Sequence, residues 1–181
     1  MRWFWVDRFT EYVAGSHAVS CKGVALSDDF MHDHWSAYPV MPNSLIAEGM
    51  AQTAGLLVSE IFKFKELVVL AKFTKLEFDG TLLPGQSIEY RAQLGSVKDF
   101  GAQASVTGVV EGRQQSRAEI FFGRLSKDSA VASDNDTGLP QRLFDPEHLC
   151  LWLHLTGVFR IGQHSDGTKM TPADYDLPVY S

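Results

Sequence analysis

The chain has 181 residues, 45% of them hydrophobic, with 16 Lys+Arg against 22 Asp+Glu and a formal net charge of −6. That length and apolar content define one domain, with room for an appendage, and exclude a disordered chain. The acidic balance argues against nucleic acid as a partner, because phosphate binding needs a basic face.

The opening residues MRWFWVDRF hold no long apolar core and no cleavage site, so they do not read as a secretory signal. Residues 3–13 read instead as an aromatic-rich, roughly alternating strand. Ala14-Gly15-Ser16 is a turn, and His17 to Leu26 reads as a second strand. Ser27-Asp28-Asp29 caps a short helical turn that leads into His32-Asp33-His34. Two histidines without a third ligand at metal-site spacing give no reason to expect a metal. Pro39 and Pro42 then fix φ and block helix before residue 42.

A long helix is expected to begin at Asn43 or Ser44, both good capping residues. It should run about 19 residues, or roughly 28 Å. Its pattern is apolar nearly all round, from Leu45 and Ile46 to Ile61 and Phe62, so it should be buried on every side. Its polar positions include Glu48, Gln52 and Ser59, and Glu48 and Gln52 lie four apart on one face. Glu48 fits neither capping-box position. A carboxyl on such a helix is expensive to ionise and should keep its proton more firmly, which suits a general acid.

Beyond the helix, Leu67–Phe78 reads as a strand, with turns at Asp79-Gly80 and Pro84-Gly85. Ser87–Val97, Ala102–Val110 and Gln114–Leu125 complete a meander of four strands. Residues 126–141 form a polar linker rich in Ser and Asp. Asp145-Pro146-Glu147 starts a further helix of about three turns with proline in its first turn, anchored by Phe144, Trp152 and Phe159. The final stretch is polar and expected to be loose at its terminus. The expected division is therefore a domain over 1–125, a linker over 126–141 and a C-terminal helix and tail over 142–181. No run reaches the ~18 apolar residues of a membrane span. Cys21 and Cys150 offer neither a disulfide framework nor zinc spacing, and read as reduced thiols of a cytoplasmic protein.

The string around the helix start resembles the signature of bacterial 3-hydroxyacyl-(acyl-carrier-protein) dehydratases. That pattern runs His-Phe-Pro-Gly-Tyr-Pro-Val-Met-Pro-Gly, then five residues ending in Glu or Asp, then Ala-Met-x-Gln. His34, Tyr38, Pro39, Val40, Met41, Pro42, Leu45, Glu48, Met50 and Gln52 stand at matching places, with fourteen positions from histidine to acid. Asp7-Arg8 and Lys22-x-Val24 resemble the opening strands of the same family, and Pro84-Gly85-Gln86 its Pro-Gly-Asp turn. The resemblance covers residues 3–125 and implies a hotdog fold of the α+β class. In that fold an antiparallel sheet wraps one long central helix; here a C-terminal helical appendage is added.

The resemblance also implies an activity without a cofactor. His34 would be the base and Glu48 the acid, with the Asn43 and Ser44 amides at the helix start as oxyanion donors. Gln52 would orient Glu48, and Tyr38 and Val40 would shape the loop near the acyl tunnel. In the family, histidine and acid come from different subunits, so at least a homodimer is expected. The acyl-carrier protein is the expected partner. Residues 1–125 hold 12 basic and 14 acidic residues and residues 126–181 hold 4 and 8. The first part is therefore the less acidic, and Lys63, Lys65, Lys72, Lys75, Arg113, Arg117 and Arg124 are candidates for a basic docking patch. Trp35-Ser36-Ala37 replace Phe-Pro-Gly, a departure in the histidine loop. The alternatives are a hotdog acyl thioesterase, in which the acid activates water, and a non-catalytic acyl-binding or partner subunit of the same fold.

Overall fold

The structure, a computed structural model, describes residues 4–33, 37–125 and 146–178. Its centre is α2 (Asn43–Ile61), whose 19 residues include twelve buried ones. The helix starts where the prolines release the chain. The capping residue is Pro42, however, and neither Asn43 nor Ser44 closes a side-chain cap. Leu45 and Ile46 donate instead to the Pro42 carbonyl. Before it, α1 (Asp29–Asp33) makes the expected short turn.

Six antiparallel strands wrap the helix: β1 (Arg8–Val13), β2 (His17–Gly23), β3 (Leu67–Phe78), β4 (Ser87–Lys98), β5 (Gly101–Val110) and β6 (Arg113–Leu125). Their spatial order is β1-β2-β4-β5-β6-β3. This corrects the expected four-strand meander. Only β4, β5 and β6 follow one another, while β3 crosses to the far edge and pairs with β6. The crossing carries α2 over the sheet, and the curl buries sheet face and helix together. The first strand is also shorter than expected. Residues 4–7 lie outside the ladder, although Asp7 still donates its N–H to the Cys21 carbonyl at 2.9 Å.

Two buried hydroxyls in this core are paired in a definite direction. Thr53 Oγ1 donates to the Gly49 carbonyl at 2.8 Å, so Ser20 is left as the donor in its 2.6 Å contact with Thr53. At the Pro84-Gly85 turn the Gln86 side chain accepts the Leu83 N–H at 3.0 Å, a bond an acid at that place would also make. Lys22 and Asp7 meet at 3.1 Å, and Asp7 also accepts the Gly23 N–H at 2.8 Å.

The C-terminal segment is built onto the β1 edge. Helix α3 (Pro146–Leu155) is followed by Thr156 and Gly157, whose φ of 79° is open to glycine at little cost, and then by a single turn α4 (Val158–Ile161). The run after Pro146 is thus two helices, not one. Phe9 donates to the Thr156 carbonyl at 2.8 Å, and Gln163 exchanges bonds with Ala14 and Tyr12, so the edge of β1 is covered. Phe159 and the Trp152 ring pack as expected, whereas Phe144 and the linker 126–141 lie outside the described residues. The polar reading of the tail missed two anchors, Met170 and Tyr175, which are 0% and 1% exposed. Tyr175 donates its hydroxyl to the buried Glu60 carboxylate at 2.9 Å. Burial first, then Glu60, pushes the Tyr175 phenol above its ordinary range, so it stays the donor.

Two stability predictions follow from these contacts. A methyl at Gly49 would sit 2.4 Å from the buried Tyr90 ring. Helix propensity alone makes Gly49→Ala stabilising by about 1 kcal/mol, but overpacking of about 1–3 kcal/mol should win. Urea unfolding is expected to show a lower midpoint. Tyr175→Phe should cost about 1–3 kcal/mol in the same measurement, because it leaves the Glu60 carboxylate short of its donor.

Candidate functional site

The sheet does not close around α2 completely. Leu45, Glu48, Gln52 and Gly55 form a half-buried stripe, so the helix is not buried on every side as its composition suggests. Glu48 is therefore half-buried, not enclosed. Gln52 holds it in place. The Trp5 backbone N–H donates to Gln52 Oε1 at 2.8 Å, which fixes the orientation of the amide. Its Nε2 is then presented to Glu48 Oε1, also at 2.8 Å. The chain from Trp5 through Gln52 to Glu48 ties an N-terminal residue to a helix carboxylate.

This pair stands in the wall of a cavity of about 320 Å³ along α2. Ala51, Gly55, Leu56 and Ser59 continue the helix side, and Leu67, Val68, Leu70 and Phe122 come from the sheet. The third side is Phe4 with His148, Leu149 and Trp152 of α3. Phe4 and Trp152 stack with ring centroids 4.5 Å apart and planes 13° apart. Sequence reasoning placed none of Phe4, Trp5 or Leu149 in a site. The only signal was the density of aromatics in Trp3-Phe4-Trp5.

The remaining expected site residues are distributed differently. Ser44 lines a second, more open cleft of about 660 Å³ at the start of α2, beside Phe4, Trp5 and Phe30. Asn43 is exposed at the same helix end, and neither its amide nor that of Ser44 meets an acceptor among the described residues. Those amides lie at the positive end of a 19-residue helix. Tyr38 is 56% exposed and Val40 is half-buried, and neither lines these two cavities. His34 lies outside the described residues, as do Trp35 and Ser36. No three His, Cys, Asp or Glu side chains among the described residues converge as for a metal ion.

The basic residues considered for docking are mostly neutralised. Lys63 faces Glu60 at 3.8 Å, Lys65 faces Asp176 at 2.5 Å, and Lys75 and Arg117 share Glu77. Arg124 pairs with Glu66 and stands over the Phe62 ring. Lys72 and Arg113 make no ion pair with a described residue. Among the described residues no helix is long and apolar enough to cross a membrane.

An antiparallel sheet curled round one long helix is the architecture of the hotdog fold. The FabA-like domain family matches residues 4–119, and the chain belongs to that family. Among its relatives, the 3-hydroxyacyl-[acyl-carrier-protein] dehydratase FabZ of Ruminiclostridium cellulolyticum is 31% identical over 118 residues. The match covers 65% of this chain and 83% of the relative. The FabZ dehydratase of Listeria welshimeri is 33% identical over 119 residues, covering 65% and 82%. Solved structures with the same fold include the dehydratase heterocomplex ApeI:P of Xenorhabdus doucetiae, at TM-score 0.51 and 14% identity over 61% of this chain and 90% of that one. A hypothetical thioesterase of Streptococcus pneumoniae with coenzyme A has TM-score 0.54 and 10% identity, covering 66% and 85%. At such identities these structures show the fold alone. The C-terminal elements α3 and α4 lie beyond the matched residues.

Gln52→Leu is expected to release Glu48 and strand the Trp5 N–H. Loss of a half-buried double hydrogen bond should lower unfolding stability by about 1–3 kcal/mol, read by urea titration.

Proposed function

We propose that this protein dehydrates 3-hydroxyacyl thioesters carried on an acyl-carrier protein to the trans-2-enoyl thioesters, in a fatty-acid-type biosynthesis. The observation that carries the reading is the Trp5–Gln52–Glu48 chain at the wall of an apolar cavity. It holds an acid fourteen positions after His34, in a chain whose relatives bear the dehydratase name.

The reaction needs a base, an acid and a place for negative charge. His34 takes the proton from the carbon beside the thioester carbonyl, a role an imidazole can fill near neutral pH. The electron pair left behind forms the carbon–carbon double bond, and the carbon–oxygen bond of the 3-hydroxyl breaks. Glu48 delivers its proton to that oxygen, which leaves as water. Charge that builds on the thioester oxygen meets the Asn43 N–H, with Ser44 beside it, at the positive end of α2. Gln52 keeps the Glu48 carboxyl from turning away, and Tyr38 and Val40 lead the histidine loop into the helix. Afterwards His34 carries the extra proton and Glu48 lacks one; exchange with water resets both.

The reading includes a homodimer, in which His34 of one copy serves Glu48 of the other. The outer edge of β3, with no strand paired to it among the described residues, offers a second copy a ladder to join. Glu66, Glu77 and Asp176 offset part of the candidate basic patch, so carrier docking falls to Lys72, Arg113, the charge left where Lys75 and Arg117 share one carboxylate, and what a second copy adds.

The test is hydration of trans-2-enoyl thioesters, the reverse reaction, followed by loss of the conjugated absorbance. Wild type should turn over, and His34→Ala and Glu48→Gln should each lose about 100-fold or more in kcat/KM. Release of free thiol without loss of the double bond, needing Glu48 but not His34, would replace the proposal with a thioesterase. Silence with both coenzyme A and carrier-protein thioesters would replace it with a binding subunit.

A further inference from the structure

We infer that α3, outside the matched family domain, is the wall that limits acyl chain length in this protein. The inference rests on the dehydratase reading for which end of the cavity holds the thioester. Glu48 and Ser59 bound the cavity along α2, eleven residues or about 16 Å of helix apart. The cavity is thus a slot with Glu48 and Gln52 at one end; Glu66 and His148 line it too, and the Glu66 carboxylate is taken up by Arg124. Ser59 brings no free hydroxyl to the other, because its Oγ donates to the Gly55 carbonyl at 2.8 Å. Between the ends, Ala51 and Gly55 keep the helix side low, and Leu67, Val68 and Phe122 face them. An elongated apolar slot continuous with a carboxylate suits one occupant, an unbranched acyl chain whose reacting carbons lie at Glu48.

The roof of the slot is Leu149 and Trp152 of α3, stacked through Trp152 on Phe4. Phe4 immediately precedes Trp5, whose N–H holds Gln52. The roof is thereby tied to the residue that orients the acid. At about 320 Å³ the slot sits near the low end of small-molecule pockets, which run roughly 300–1,000 Å³. Short and medium chains fill it, and long chains meet the roof.

Two substitutions change the slot in opposite senses. A Cβ at Gly55 would touch Phe122 at 3.4 Å and otherwise enter open space, so Gly55→Leu fills the lumen. Leu149 is half-buried, and Leu149→Ala widens the roof. With a series of trans-2-enoyl thioesters from crotonyl to hexadecenoyl, Gly55→Leu should lower kcat/KM for the longer chains about tenfold relative to crotonyl. Leu149→Ala should raise it for longer chains by a similar factor, since one or two methylenes in a fitted pocket are worth about 10–200-fold. Unfolding cannot move the two profiles in opposite directions. If Gly55→Leu does not fold, Gly55→Ala gives the same shift in smaller degree.

Affinity for saturated acyl thioesters of the same lengths, which cannot be hydrated, is measured alongside. If wild type hydrates nothing, the dehydratase reading fails, while a chain-length profile of binding that shifts with both variants still supports the roof. Folded variants that keep the wild-type profile, in turnover or in binding, overturn it.

Discussion

A helix as apolar as Asn43–Ile61 cannot stand in water, and the rest of the molecule is arranged to cover it. Six strands curl round it because a sheet with one apolar face needs the same burial. Tyr90 meets the helix at Gly49, where any side chain would collide with the ring. The close approach costs a glycine in mid-helix and returns tight packing of a large aromatic. Ser20 and Thr53, both at 0% exposure, satisfy their hydroxyls on each other and on the helix backbone.

What the sheet leaves uncovered is the candidate site. On the open stripe Glu48 and Gln52 are held by hydrogen bonds and not by enclosure. Gln52 has an acceptor and a donor end, and the Trp5 N–H uses the first, so the second must face Glu48. This single amide transmits the position of the N-terminal segment to the carboxylate. The same N-terminal segment stacks on α3 through Phe4. Segments from the two ends of the chain thus meet over the middle of the central helix.

The C-terminal elements do more than decorate the domain. Thr156 and Gln163 cover the backbone groups at the edge of β1, which would otherwise stand open to pairing. Tyr175 caps a buried carboxylate on α2, and Met170 is fully buried. Residues that read as a polar tail therefore hold two points of the core, Met170 and Tyr175; two apolar side chains among many polar ones carry no periodicity to reveal them.

Local pattern by itself determined much of this protein. Proline positions set the start of α2; alternation and turn residues set β3 to β6 nearly to the residue. The four-residue spacing of Glu48 and Gln52 placed the acid and its neighbour on one helix face, since a helix repeats over short distances. Only the tertiary structure decided that β3 pairs with β6 and not with β4. It also decided that Asn43 and Ser44 start the helix without capping it, and that Glu48 lies on an open stripe. The meeting of Phe4, Gln52, Leu149 and Trp152 at one slot belongs to the same class. Such contacts join residues far apart in the chain, as Tyr175 joins Glu60 across 115 positions. No local periodicity records them, because they are fixed by how whole elements pack and not by any element's own sequence.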